Sequence, residues 1–186
     1  MPDSFRWAVR AAFITAVTAL GAITAVTIPG LSLVPFTFQV FGVFLAGGLL
    51  PARWAFMSQA AYLALGVLGA PVFAEGQRGF AVLVGPFGGY LWAYPLAALF
   101  MAWIIRRRAS KIRIALGLVV ALIAIYGGGV TGLVLATTAT WMRAVMEGVV
   151  PFVGWDIAKA LLAWPVLIQV GRWMAQRTSS ASRLSA

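Results

Sequence analysis

The chain has 186 residues, 62% of them hydrophobic, 13% aromatic and 10% charged, with a mean hydropathy of +0.97, values that belong to polytopic membrane proteins and exclude an ordinary soluble domain. It has no Cys and no His, which removes disulfides, thiol nucleophiles, imidazole bases and the usual zinc ligands. The net charge of +10 does not point to nucleic acid, because the basic residues stand at the ends of apolar runs and not on a soluble face.

At about 20 apolar residues per crossing, the length predicts an all-α bundle of about six transmembrane helices, one integral membrane domain over 1–186. The first run covers about 7–28, too long for the apolar core of a signal peptide, and stops at "PGLSLVP". The second, "FTFQVFGVFLAGGLL" (about 36–50), is followed by Pro51 and Arg53, and the third covers about 54–68. Next comes "GAPVFAEGQRGFAVLVGPFGGY", too glycine-rich for a clean helix and long enough to carry function. A fourth run (about 88–105) meets the charge cluster "RRRASKIR", and a fifth covers about 114–136. "TTATWMRAVMEGVVPFVG" reads as an interfacial loop with a short amphipathic helix, the sixth run covers about 155–174, and a polar tail from about 176 is expected to be disordered.

The positive-inside rule orients the bundle. With both termini cytoplasmic, eleven of the fourteen basic residues fall inside (Arg6, Arg10, Arg53, Arg106, Arg107, Arg108, Lys111, Arg113, Arg172, Arg177, Arg183), leaving Arg78, Arg143 and Lys159 outside with Glu75, Glu147 and Asp156. Trp7, Trp54, Trp103, Trp141 and Trp173 fall near the interfaces, as aromatic belts do.

Asp156 and Lys159 open the sixth run in "GWDIAKALLAWP". Three residues apart, they share a helix face, and an unpaired charge at that depth costs at least about 2.5 kcal/mol. Either they neutralise one another, with Lys159 snorkelling outward, or they floor a pocket that opens outward and is completed by a ligand. Gln39, Arg78, Trp92 and Trp155 could converge on that pocket. The glycines of "GPFGGY", Gly88 and Gly89 among them, permit close backbone approach where a helix start offers N–H groups to an anion. Alternate helices beginning on the outer side would surround the region with positive dipole ends, which suits a small, partly anionic substrate.

The run from "VPFTFQVFGVF" through "GAPVFAEGQRG" and "GPFGGYLWAYP", with the later "VVPFVGWDIAKALLA", resembles the BioY family, the substrate-binding (S) component of bacterial biotin transporters of the energy-coupling factor type. The co-occurrence in order of F-Q, G-x-P-V-F-A, G-P-x-G-G-Y and D-x-x-K carries the resemblance, over the second to fourth runs and the sixth. It implies a six-helix bundle in the bacterial inner membrane that binds biotin from outside with high affinity. It also implies partners: a transmembrane coupling subunit and two cytoplasmic ATPases, with the bundle toppling in the lipid to release its vitamin. Asp156 and Lys159 match the family's ligand-binding Asp and Lys. Phe87 departs from it, standing where threonine is common, and "LLPARWA" lacks the usual glycine before its proline.

Biotin's chemistry suits these residues. Asp156 can accept from a ureido N–H, Lys159 or Arg78 can meet the carboxylate or the ureido oxygen, and Phe73, Tyr90 and Trp155 can cover the apolar bicycle. No cofactor is expected beyond this ligand. No phosphate-binding G-x-x-x-x-G-K-[ST] loop occurs, so ATP hydrolysis belongs to partners, and the few ionisable groups do not favour an intramembrane enzyme. Ala8, Ala12 and Ala16 form a small-residue stripe that serves either internal packing or, as the resemblance implies, the coupling subunit. Gly128 and Gly132 read as packing, and "PGLSLVP" as a lid. The alternatives are an S-component for another vitamin and a biotin transporter that works without ATPases.

Overall fold

The apolar runs become eight α-helices in a computed structural model that describes residues 3–27, 34–105 and 110–184, with side chains to 170. In chain order they are α1 (Asp3–Ile23), α2 (Gln39–Leu49), α3 (Ala52–Val67), α4 (Phe80–Val84), α5 (Gly88–Ile105), α6 (Lys111–Ala136), α7 (Trp141–Gly148) and α8 (Val150–Leu184), with a single 3-10 turn at Ala74–Gly76. Most of the "PGLSLVP" segment, Arg106, Arg107 and Arg108, and the side chains of Arg172, Trp173, Arg177 and Arg183 lie outside the described residues.

Among the described residues four helices, α1, α5, α6 and the Val150–Val170 part of α8, are long and apolar enough to cross a membrane. With 11 and 16 residues, α2 and α3 rise about 16 and 24 Å, short of a hydrocarbon core of about 30 Å. The expected first span ends five residues early. The chain leaves α1 after Ile23 and turns back, Val26 and Phe36 exchanging two backbone hydrogen bonds of 2.9 Å. The sixth begins five residues early, and Pro151 is tolerated in its first turn, where the backbone N–H that proline lacks would have no intrahelical acceptor. The tail expected from about 176 is described in its backbone alone. The backbone continues α8 to Leu184, with no proline or glycine after Gly171 to stop it. The amphipathic helix expected in the last loop is α7, capped by the Thr140 hydroxyl, which accepts from the Arg143 N–H.

Close helix crossings set the frame. Gly89 on α5 meets Gly128 and Gly132 on α6 so tightly that a Cβ on Gly132 would lie 2.7 Å from the Gly89 Cα. Gly21 on α1 lies against the start of α2, where a Cβ would stand 2.7 Å from the Phe38 carbonyl carbon, and its own carbonyl accepts from the Phe38 N–H. A buried polar cluster ties α1 to α3: Thr15 donates to the Ser58 carbonyl (2.8 Å), and the Gln59 amide donates to Thr18 (3.2 Å). In an apolar bundle such bonds align helices that hydrophobic burial alone would let slide.

Candidate binding site

A cavity of about 60 Å³ lies among the first turns of α2, α5 and α8 and the middle of α6, closed by Phe73 and Gln77 from the α3–α4 loop. Two polar networks enter its otherwise apolar wall. In the first, Lys159 and Asp156 are 2% and 3% exposed and form an ion pair of 2.6 Å (Nζ to Oδ1). The other carboxylate oxygen accepts from the Tyr126 hydroxyl of α6, also at 2.6 Å. The two readings of the pair therefore merge: the charges neutralise one another and also line the cavity, and Lys159 points inward and does not snorkel.

The second network centres on Gln39. Its carbonyl oxygen accepts from Thr37 (3.0 Å) and Tyr94 (3.3 Å), and its amide donates to Tyr62. The Tyr62 hydroxyl donates in turn to the Val72 carbonyl at 2.9 Å. This arrangement fixes the amide on α2, since its oxygen and its nitrogen are each held by a separate helix. Tyr90 is fixed similarly, donating to the Gly148 carbonyl at 2.7 Å, and a Cβ on Gly148 would collide with that hydroxyl. Phe73, 1% exposed, makes an edge contact with Tyr62 at 5.6 Å and rests on Gly66.

Of the residues expected at the site, the structure gathers Asp156, Lys159, Gln39, Tyr90 and Phe73 around one cavity. Four expected residues stand elsewhere. Trp155 is half-exposed on the outside of α8, because consecutive helical residues point about 100° apart. Phe152, one turn before Asp156, fills the place expected for it and stacks on Phe36 at 4.5 Å. Arg78 is exposed, beside Gln77 at the cavity edge. Gly88 and Gly89 serve packing: a Cβ on Gly88 would strike the Leu83 carbonyl. The N–H groups of Gly88 and Tyr90 are already given to the Gly85 and Phe87 carbonyls, so they are not free for an anion. Trp92, the other tryptophan considered, is 52% exposed with its indole N–H on the Leu83 carbonyl.

Tyr62, Tyr94 and Tyr126 are the polar groups that sequence reasoning missed. The available signal was helical spacing: Tyr94 stands four residues after Tyr90 and shares its face. No comparable signal linked Tyr126 to Asp156, because that contact is made across 30 residues. The alanine stripe is settled in one respect. Ala8 is partly buried, but Ala12 and Ala16 are exposed on α1, so these two do not pack inside the chain.

The chain is 34% identical over 172 residues to "Biotin transporter BioY" of Thermotoga maritima, covering 92% of this chain and 99% of that one. It is 40% identical over 152 residues to "Probable biotin transporter BioY" of Pyrococcus horikoshii, covering 82% and 88%. Its fold matches a crystal structure of the S-component for biotin from an ECF-type ABC transporter with a TM-score of 0.82 and 25% identity, over 94% of this chain and 95% of that one. The BioY family profile matches residues 2–176; the chain belongs to the BioY family.

Proposed function

We propose that the chain is the biotin-binding membrane component of a vitamin uptake transporter, taking biotin at the outer face of the bacterial cell membrane and releasing it to the cytoplasm. One observation carries the reading at this site: a buried Asp–Lys pair and a fixed amide converge on one apolar cavity, the pattern needed to hold an apolar bicycle that bears a ureido group. Asp156 accepts a ureido N–H, and Lys159, already beside it, donates to the ureido oxygen. Exposed Arg78, at the cavity edge, pairs the carboxylate of the tail. Phe73, Tyr90 and Phe152 cover the rings.

In this reading α2 and α3, with their extended flanks, complete six spans, and both termini are cytoplasmic. Energy comes from separate subunits, a transmembrane coupling protein and two ATPases. The exposed Ala12–Ala16 face of α1 takes the coupling protein.

Isothermal titration of biotin into the purified chain in nanodiscs tests the function. One-to-one binding is expected, weakened at least about tenfold in Asp156→Asn, the cost of a hydrogen bond to a charged group. Unchanged affinity in both Asp156→Asn and Lys159→Ala would remove their assigned roles. Absence of heat with biotin would overturn the ligand and direct the titration to other vitamins.

A further inference from the structure

A second cavity, of about 320 Å³, lies under the α6–α7 connection and shares two wall residues with the first, Val34 and Phe87. Exposed Thr137 and Thr138 of that connection and Arg143 of α7 are part of its lining. A ligand that passes from the outer cavity to the inner one has to go between these shared residues, so passage requires a lining side chain to move.

Most of the aromatic lining is fixed. Tyr90, Tyr94 and Tyr126 are held by hydrogen bonds, Phe73 packs on Tyr62 and Phe152 stacks on Phe36. Phe87 has neither kind of partner among the described residues. It is half-buried and sits outside any helix, in the turn Gly85–Phe87 that precedes α5. Phe87 packs against the core through apolar contacts alone, so its displacement breaks no hydrogen bond of its side chain and no ring stack.

We infer that the outer cavity is the antechamber of the binding site and that the Phe87 ring is the movable partition between the two. The inference rests on the inner cavity being the biotin site. A partition adds the same barrier to arrival and departure, so its removal accelerates both and leaves the equilibrium nearly unchanged; a ligand contact acts mainly on departure.

The test is the association and dissociation rate of biotin with the chain in nanodiscs, for the wild type, Phe87→Thr and the more conservative Phe87→Leu. Phe87→Thr is expected to raise both rates about tenfold with Kd changed less than about threefold, Phe87→Leu falling between. Faster dissociation alone would make Phe87 a contact residue, and unchanged rates would also overturn the partition. Because the chain has no cysteine, Val40→Cys in the inner wall gives a readout without ligand: a small water-soluble thiol reagent should label it about tenfold faster when Phe87→Thr is added, in proportion to the opened path. Unchanged labelling overturns the partition even if biotin binds. Faster labelling in a chain that does not bind biotin upholds the partition and overturns the assigned ligand.

Discussion

Asp156 is held from two sides, by a cation on its own helix and by a phenol on another. The phenol is the informative one, since it fixes where the carboxylate points without contributing charge. Tyr126→Phe keeps the ring and deletes that bond. A hydrogen bond to a charged group contributes about 1.5–3 kcal/mol and this one is made in the empty bundle, so the variant should melt at a lower temperature, and biotin affinity should fall about tenfold in titration as the carboxylate loses its aim. Removing one member of the buried pair is different, because it strands the other. Lys159→Ala should destabilise the empty bundle by about 3–5 kcal/mol, seen as a lower melting temperature in detergent. The double variant Asp156→Leu, Lys159→Met should recover most of that stability and bind no biotin. At this scale the sequence was legible where chemistry is rare, an acid and a lysine in an apolar run. It misled where neighbours in sequence were taken as neighbours in space: Trp155 adjoins Asp156 along the chain but faces away, and Phe152, one turn earlier, faces the cavity.

Between elements, the tightest constraint is the α5–α6 crossing. The Gly128 backbone approaches Gly89 so closely that a Cβ on Gly128 would meet the Gly89 carbonyl oxygen at 2.7 Å. Gly89→Val or Gly128→Val should therefore force the helices apart, at about 1–3 kcal/mol or more for overpacking, and should disturb the cavity by shifting Tyr90 and Tyr126 relative to each other. Gly127, one residue away, has nothing near its would-be Cβ, so Gly127→Ala should leave binding unchanged and the melting temperature the same or higher, since Ala favours a helix interior over Gly. The comparison of thermal melts separates a crossing requirement from a general preference for glycine. Helix limits were legible where composition changes sharply: α5 runs from Gly88 to Ile105 as its apolar run does. They were not legible where tertiary contacts decide, as at Thr24, where the chain turns to make the Val26–Phe36 bridge.

For the molecule as a whole, the face of α1 left uncovered by the bundle carries Ala12 and Ala16 with Phe13 and Leu20 exposed around them. Small residues on a lipid-exposed helix let another backbone approach. With the coupling subunit proposed above, Ala12→Trp should thus leave biotin affinity intact and abolish co-purification with that subunit; co-purification at wild-type yield would remove that face from the proposed interface. Composition foretold a membrane bundle and the order of its runs. It could not tell the two possible fates of the alanine stripe apart, because exposure is a property of the assembled helices and not of any one.

The buried Asp156–Lys159 pair has an electrical meaning as well. As an ion pair it carries no net charge. Carrying a single elementary charge through the membrane potential involves about 2.3 kcal/mol per 100 mV, a large force on any moving site. The polar floor of this cavity feels none of it. Should the cavity change depth in the bilayer, the potential acts on the ligand's carboxylate and on charged residues outside the pair, and the floor itself moves as readily against the field as with it.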